Sequence, residues 1–201
     1  MKTAYPLCQA NKFTARTLLG AVILWLSSTC LAEDQTLLLV AKPQLENSVF
    51  EQSVILVATY DNGAALGIIL NHHLAIDPGH LYPEDELLRD AGEIHFGGPV
   101  NPAVLLFLFR DPQAPEEAIH LFDDVYVSSS RKLLEQQLLR PREDSMLQFY
   151  AGYAGWAPGQ LQSEIMRGSW GTEKATSKLL FDISRESIWF KLNNKRRDDW
   201  I

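Results

Sequence analysis

The sequence predicts an α+β domain, and three observations carry the prediction. Short apolar runs of strand length crowd the first half of the chain. Helical patterns are interspersed among them without the regular alternation of a doubly wound sheet. No internal repeat, low-complexity stretch or Pro/Gly-rich linker divides the chain, so one domain is expected.

Leu37 to Ala41 reads as a strand stopped by Pro43, and Ser53 to Tyr60 as a second, rich in β-branched residues. Asp61-Asn62-Gly63 then leads into Leu66 to Leu70, and an Asn-Gly step between apolar runs signals a hairpin because both residues accept positive φ. Pro83-Glu84-Asp85 opens a short helix reaching about Asp90, with acidic residues where the helix dipole favours them. Glu93 to Phe96 is a brief strand ending at Gly97-Gly98-Pro99. Val104 to Phe109 is continuously apolar, as expected of a strand buried on both faces. Ile119 to Phe122 and Val125 to Val127 form a hairpin across Asp123-Asp124. Ser130 caps a helix to about Leu139 that presents Leu133, Leu134 and Leu138 on one side and stops before Pro141. Met146 to Tyr153 is a strand, Pro158 to Met166 an amphipathic helix, Leu179 to Ile183 a strand and Glu186 to Leu192 a final helix.

The N-terminus has a different character. Lys2, Lys12 and Arg16 precede an apolar run from Leu18 to Leu26, then Ser27 to Ala32, with no acidic residue before Glu33. This is the order of a cleavable secretory signal, and the apolar run is shorter than the ~20 residues that span a bilayer. Residues 1–32 are expected to be removed after Ala32, leaving a domain over residues 33–201 in the periplasm or outside the cell. An uncleaved leader would make the chain membrane-anchored, and a non-functional one would leave it in the cytoplasm. Both cysteines, Cys8 and Cys30, fall in the leader, so a mature chain has no thiol for disulfides, thiolate metal sites or nucleophilic catalysis. It would retain 15 basic against 25 acidic residues, a formal charge of −10. That balance disfavours nucleic acid as a partner. The basic cluster Lys195-Arg196-Arg197 is followed at once by Asp198 and Asp199.

Five segments in fixed order are distinctive: Leu38-Leu39-Val40-Ala41-Lys42-Pro43 with Phe50 to Val54; Asn62 to Asn71; Phe96-Gly97-Gly98-Pro99-Val100; Gly152-Tyr153-Ala154-Gly155-Trp156-Ala157-Pro158-Gly159-Gln160-Leu161; and Leu180-Phe181-Asp182 with Trp189. Together they resemble the YqgE/AlgH family over residues 36–192. The resemblance implies a compact α+β domain whose bent, mostly antiparallel sheet curls towards a barrel, with a few short helices. Its name suggests transcriptional regulation in bacteria, and it brings no activity with it. The chain departs from the family in having a leader before the first segment, in His72 and His73 where a basic residue and proline usually follow Asn71, and in Arg131 after Ser130.

Candidate chemistry is sparse. His72, His73 and His80 lie around the Asp77-Pro78-Gly79 turn and would be the residues of a zinc or copper site. No HExxH spacing is present, and adjacent histidines on a strand point to opposite faces, so solvated loop histidines are the default and no metal or cofactor is assigned. His95 and His120 read as sheet residues. No G-x-S-x-G elbow or phosphate-binding glycine loop occurs. Two segments suit a ligand or partner surface: the turn Gly97, Gly98, Pro99, and the stretch containing Gly152, Tyr153, Gly155, Trp156 and Gln160, where glycines admit a close neighbour and the aromatics offer flat faces. Alternatively Trp156 plugs the core and Gly159 allows close packing. The leading expectation is an exported, non-catalytic binding or regulatory domain that recognises a protein or a small ligand. The alternatives are a hydrolase or metal-dependent enzyme using the loop histidines, and a cytoplasmic transcriptional regulator if the leader does not function.

Overall fold

The structure is a computed structural model, and it describes residues 36–74, 86, 93–140 and 147–198. All of them belong to the compact unit Ala32–Ile201. The predicted leader, His80 and most of the predicted helix over residues 83–90 lie outside the described residues.

Among the described residues nine strands form a sheet: β1 (Leu37–Ala41), β2 (Val54–Thr59), β3 (Ala65–Ile69), β4 (Ile94–Phe96), β5 (Val100–Arg110), β6 (Ile119–Phe122), β7 (Val125–Ser128), β8 (Leu147–Trp156) and β9 (Trp170–Lys174). Their order is β6-β7-β5-β8-β3-β2-β1-β9, and β4 pairs with β8 off this path. Every pairing is antiparallel except β4 with β8. The helices are α1 (Arg131–Leu138), α2 (Gln160–Met166) and α3 (Arg185–Asp198), with a 3-10 turn at Pro43–Leu45 and a π-helical turn at Lys178–Asp182.

Strand alternation divides the apolar side chains between two faces. Leu38 and Val40 of β1, Val54 and Leu56 of β2, Ile68 of β3, Leu106 and Leu108 of β5, and Val125 and Val127 of β7 share one cluster with Ile188 and Leu192 of α3. This is the inner face of a half-barrel, and α3 fills it with residues four apart on one helix side. Thr36 Oγ1 donates to the Leu121 carbonyl, so the start of β1 meets β6 although five strands separate them in the sheet order. The outer face carries two clusters. Leu39, Ala41, Ile55, Val57, Trp156 and Trp170 pack with Leu161 of α2, while Phe107, Phe109, Tyr126 and Phe149 pack with Leu133 and Leu134 of α1.

Several local expectations change. The Asp61–Gly63 hairpin is a three-residue loop: Gly63 N donates to Tyr60 O at 2.8 Å and Tyr60 N to Ala64 O at 2.8 Å. Only Gly63, at φ 79°, takes the left-handed conformation, since a type I turn closed by one such residue leaves Asn62 on the ordinary side. Leu179 to Ile183 is not a strand but lies largely in the π turn, where Leu180 plugs the inner face. β9, which the sequence pattern does not announce, is the edge beside β1. The stretch from Gly152 to Trp156 is strand rather than corner, so β8 runs three residues past its expected end.

Candidate functional site

The inner face has a polar corner where β4 and β8 meet the start of α3. His95 of β4 stands opposite Tyr150 of β8, and their rings lie 5.9 Å apart. Tyr150 is fully buried; its hydroxyl donates to Gln148 Oε1 at 2.8 Å, and Gln148 Nε2 donates to the Leu180 carbonyl at 3.1 Å. Arg185 also hydrogen-bonds Tyr150, and burial pushes the phenol above its ordinary pKa. The Arg185 Nε is itself buried with no hydrogen-bond partner among the described residues.

His73 joins this corner. It forms an antiparallel bridge with His95, and the two rings sit 5.8 Å apart. The neighbouring bond from Phe96 N to the His72 carbonyl, 3.1 Å, fixes the segment against β4. His73 Nε2 lies 3.2 Å from Glu186 Oε1, and Ser184 Oγ donates to the other oxygen of that carboxylate. These bonds, led by that of Ser184, hold the Glu186 carboxyl down to about 2. Burial, then the charges of Arg185 and His73, lower His95 to about 4, so its imidazole is neutral at pH 7. Glu93, exposed at the edge of β4, completes a group in which one ligand atom each from His73, Glu93 and His95 lies within 4.8 Å of the others.

His72 points elsewhere. Its Nε2 meets the Glu51 carbonyl at 3.0 Å and its ring stacks on Phe96, so the two adjacent histidines do serve opposite faces. The pair that the sequence suggests, His72 with His73, is thus separated, and His95 takes the place of His72 beside His73.

The two glycine segments meet. Gly97 N donates to the Ala151 carbonyl at 2.8 Å. A Cβ on Gly97 or Gly152 would fall inside 3.0 Å of the other segment's carbonyl oxygen, and one on Gly98 would strike the Tyr153 backbone. Gly152 adopts φ 72°, and this shifts the strand phase, so Tyr150 and Tyr153 both face inward although they are three residues apart. Pro99 and Gly155 are exposed, and Tyr153, half-buried, lays its ring edge 3.8 Å from where a Gly155 Cβ would be. Trp156 plugs the outer core; its Nε1 and that of Trp170 both donate to Glu164 Oε2, at 3.0 and 2.9 Å. Burial raises the Glu164 carboxyl, but hydrogen bonds from both indoles and from Gln160 leave it below its ordinary value. Gln160 is exposed, accepting from Ala157 N and donating to Glu164. Nothing lies within 4 Å of a Cβ on Gly159, so its φ of 77°, and not tight packing, is what calls for glycine.

The other end of the inner face is open. Ala58, Leu66, Val104, Phe122 and Tyr153 pack against the inner cluster yet stay partly exposed. Ala58 pairs with Leu66 and Leu66 with Gly155, so Ala58, Leu66 and Gly155 form a continuous cross-strand row. Ala58 also lines a cleft of about 280 Å³ with Thr36, Thr59, Tyr60, Asp61, Ile119 and His120. Tyr60 and Ile119 are both nearly half exposed at its lips.

The AlgH-like family model matches residues 38–199, nearly the whole of this sheet and its helices. The chain belongs to the AlgH-like family. Among relatives of this AlgH-like chain, a UPF0301 protein of Saccharophagus degradans is 34% identical over 155 residues, covering 75% of this chain and 76% of its own length. One from Anaeromyxobacter dehalogenans is 36% identical over 162 residues, 75% and 82% of the respective chains. The fold is similar to that of the AlgH protein from Pseudomonas aeruginosa, with a TM-score of 0.66 at 20% identity over 81% of this chain and 87% of that one. It is also similar to a protein from Corynebacterium diphtheriae, with a TM-score of 0.65 at 23% identity over 81% and 86%.

The corner residues Glu93, Tyr150, Arg185 and Glu186 were not among the candidates drawn from the sequence of this AlgH-like chain. Only a register could have revealed them: β4 must lie parallel on β8, with His73 bridged to His95, before they become neighbours.

Proposed function

We propose that this AlgH-like chain is a non-catalytic binding protein of regulatory type. It works outside the cytoplasm and takes a small amphipathic ligand at the open end of its half-barrel. One observation carries the reading: the cross-strand row Ala58, Leu66, Gly155, with the Tyr153 ring beside Gly155, reaches at Ala58 the cleft between the end of β2 and β6. Apolar side chains left half-covered beside a concave opening, with Thr59, Asp61 and His120 at its rim, are the usual make-up of a ligand site. Gly98 packs against the backbone of Tyr153 beside this row. The signal-like order of residues 1–32 supports the location.

The test has two parts. Intact mass of the protein from its own host, separated by compartment, should give residues 33–201 in the periplasmic fraction. A solvatochromic anilinonaphthalene dye should bind the purified domain and be displaced by host extract. Ile119→Glu with Tyr60→Glu should abolish dye binding while leaving the urea midpoint unchanged, because both side chains are exposed. Dye binding that survives both substitutions would refute the cleft, and full-length cytosolic protein would refute export.

A further inference from the structure

We propose that His73, Glu93 and His95 form a binding site for a divalent first-row transition ion, with Zn²⁺ as its reference occupant. The inference concerns the polar corner, so it stands or falls independently of the cleft at the other end of the sheet.

Two imidazoles and one carboxylate are the donor set that suits Zn²⁺ and its neighbours in the series. Their ligand atoms already lie within 4.8 Å of one another. Around a tetrahedral ion with bonds of about 2.0–2.1 Å, ligand atoms sit about 3.4 Å apart, so closure needs no pair to approach by more than about 1.4 Å. The exposed side chains of two of the three residues can supply that movement. His73 and Glu93 are exposed, while His95 is 3% exposed and held by β4 pairing with β8, giving one fixed ligand and two that close on it.

The surroundings are those of a supported site. Glu186 lies 3.2 Å from His73 Nε2 and is anchored by Ser184. When the ion takes Nδ1 of His73, Glu186 accepts the proton on the other ring nitrogen and orients the ring, the common second partner of a metal-bound histidine. When the ion takes Nε2, Glu186 supplies a fourth ligand. Tyr150 and Gln148 back His95 from the buried side. An electrostatic staple between His73 and Glu186 alone would not require Glu93 or His95 to gather beside it.

The experiment uses the mature domain, stripped with chelator, and titrates ZnSO₄ by calorimetry and CoCl₂ by visible absorption. One equivalent should bind in each titration, with Co²⁺ giving the ligand-field bands of a low-coordinate nitrogen and oxygen site. His73→Ala should weaken Zn²⁺ binding at least 100-fold and abolish the Co²⁺ bands. Glu186→Gln should weaken it about 10-fold, the usual effect of losing a supporting carboxylate. His72→Ala, removing the histidine that faces away, should leave both titrations unchanged. His73 is exposed, so its replacement leaves the fold intact, and a far-ultraviolet circular dichroism spectrum verifies this. Absence of one-equivalent binding to the wild type, or equal losses in the His72 and His73 variants, would overturn the proposal.

Discussion

Replacing Gly152 with alanine should be among the most damaging single-methyl additions possible in this domain. The residue holds φ at 72°, where a Cβ brings strain of about 1–2 kcal/mol. Its Cβ would also lie inside 3.0 Å of the Gly98 carbonyl oxygen and 3.2 Å from Pro102 Cα, and neither is a side chain that can swing away. Relief requires the 97–100 segment to lift from β8. That movement threatens the bonds from Gly97 N to Ala151 O and from Ile69 N to Gly97 O, 2.8 and 2.9 Å, at about 1 kcal/mol each. Strain, overpacking of about 1–3 kcal/mol and those bonds together give a loss of about 4–7 kcal/mol. This is a large part of the 5–15 kcal/mol that holds a typical domain together. Gly159→Ala provides the control, since φ is nearly the same at 77° and nothing stands within 4 Å, so the loss should be about 1–2 kcal/mol. Urea unfolding followed by tryptophan fluorescence reads both. A Gly152→Ala loss within 1 kcal/mol of the Gly159→Ala loss would refute the argument that backbone contact, and not φ, is what excludes a side chain.

Three further outcomes are expected. Glu164→Leu leaves the buried Trp156 and Trp170 indoles without their shared acceptor and should lower stability by about 2–4 kcal/mol, whereas Glu164→Gln, keeping an oxygen, should lose less; urea midpoints decide it. Stability should decline as pH falls below about 6.5 and level off near 4, because unfolded His95 gains its proton at the ordinary pKa while folded His95 resists it. After allowance for solvent screening, the share of His95 is on the order of 1–2 kcal/mol. His72, also lowered by burial, adds in the same direction, so His95→Asn should flatten only part of the slope in chelator-treated protein. Ser130→Ala should remove the cap that accepts from Leu133 N at 3.2 Å and lower the melting midpoint by the equivalent of about 1 kcal/mol.

The elements legible in the sequence were those whose signal is local. β1, β2, the β6–β7 hairpin and the Ser130 cap follow from short apolar runs, turn residues and one hydroxyl. β9 was hidden because Trp170-Gly-Thr-Glu-Lys offers one apolar residue; it is a strand because β1 presents an edge of the right length. Leu179 to Ile183 misled for the opposite reason. A short apolar run specifies burial, and burial at the mouth of the half-barrel is met by a π turn as well as by a strand. The glycines of β8 suggested a corner, yet Gly152 bends the strand's phase and Gly155 lies beside the Tyr153 ring. At the polar corner the sequence supplied His73 and withheld its companion, since the bridge from His73 to His95 depends on how three strands stack.

The place of β1 has a kinetic consequence. It sits between β2 and β9, pairing Leu37 with both Val57 and Lys174, and Trp189 of α3 donates to its Ala41 carbonyl. The first strand of the described residues therefore cannot be enclosed until β9 and α3, more than 100 residues later, have been made. Such long-range closure slows folding and keeps the domain open while it is synthesised.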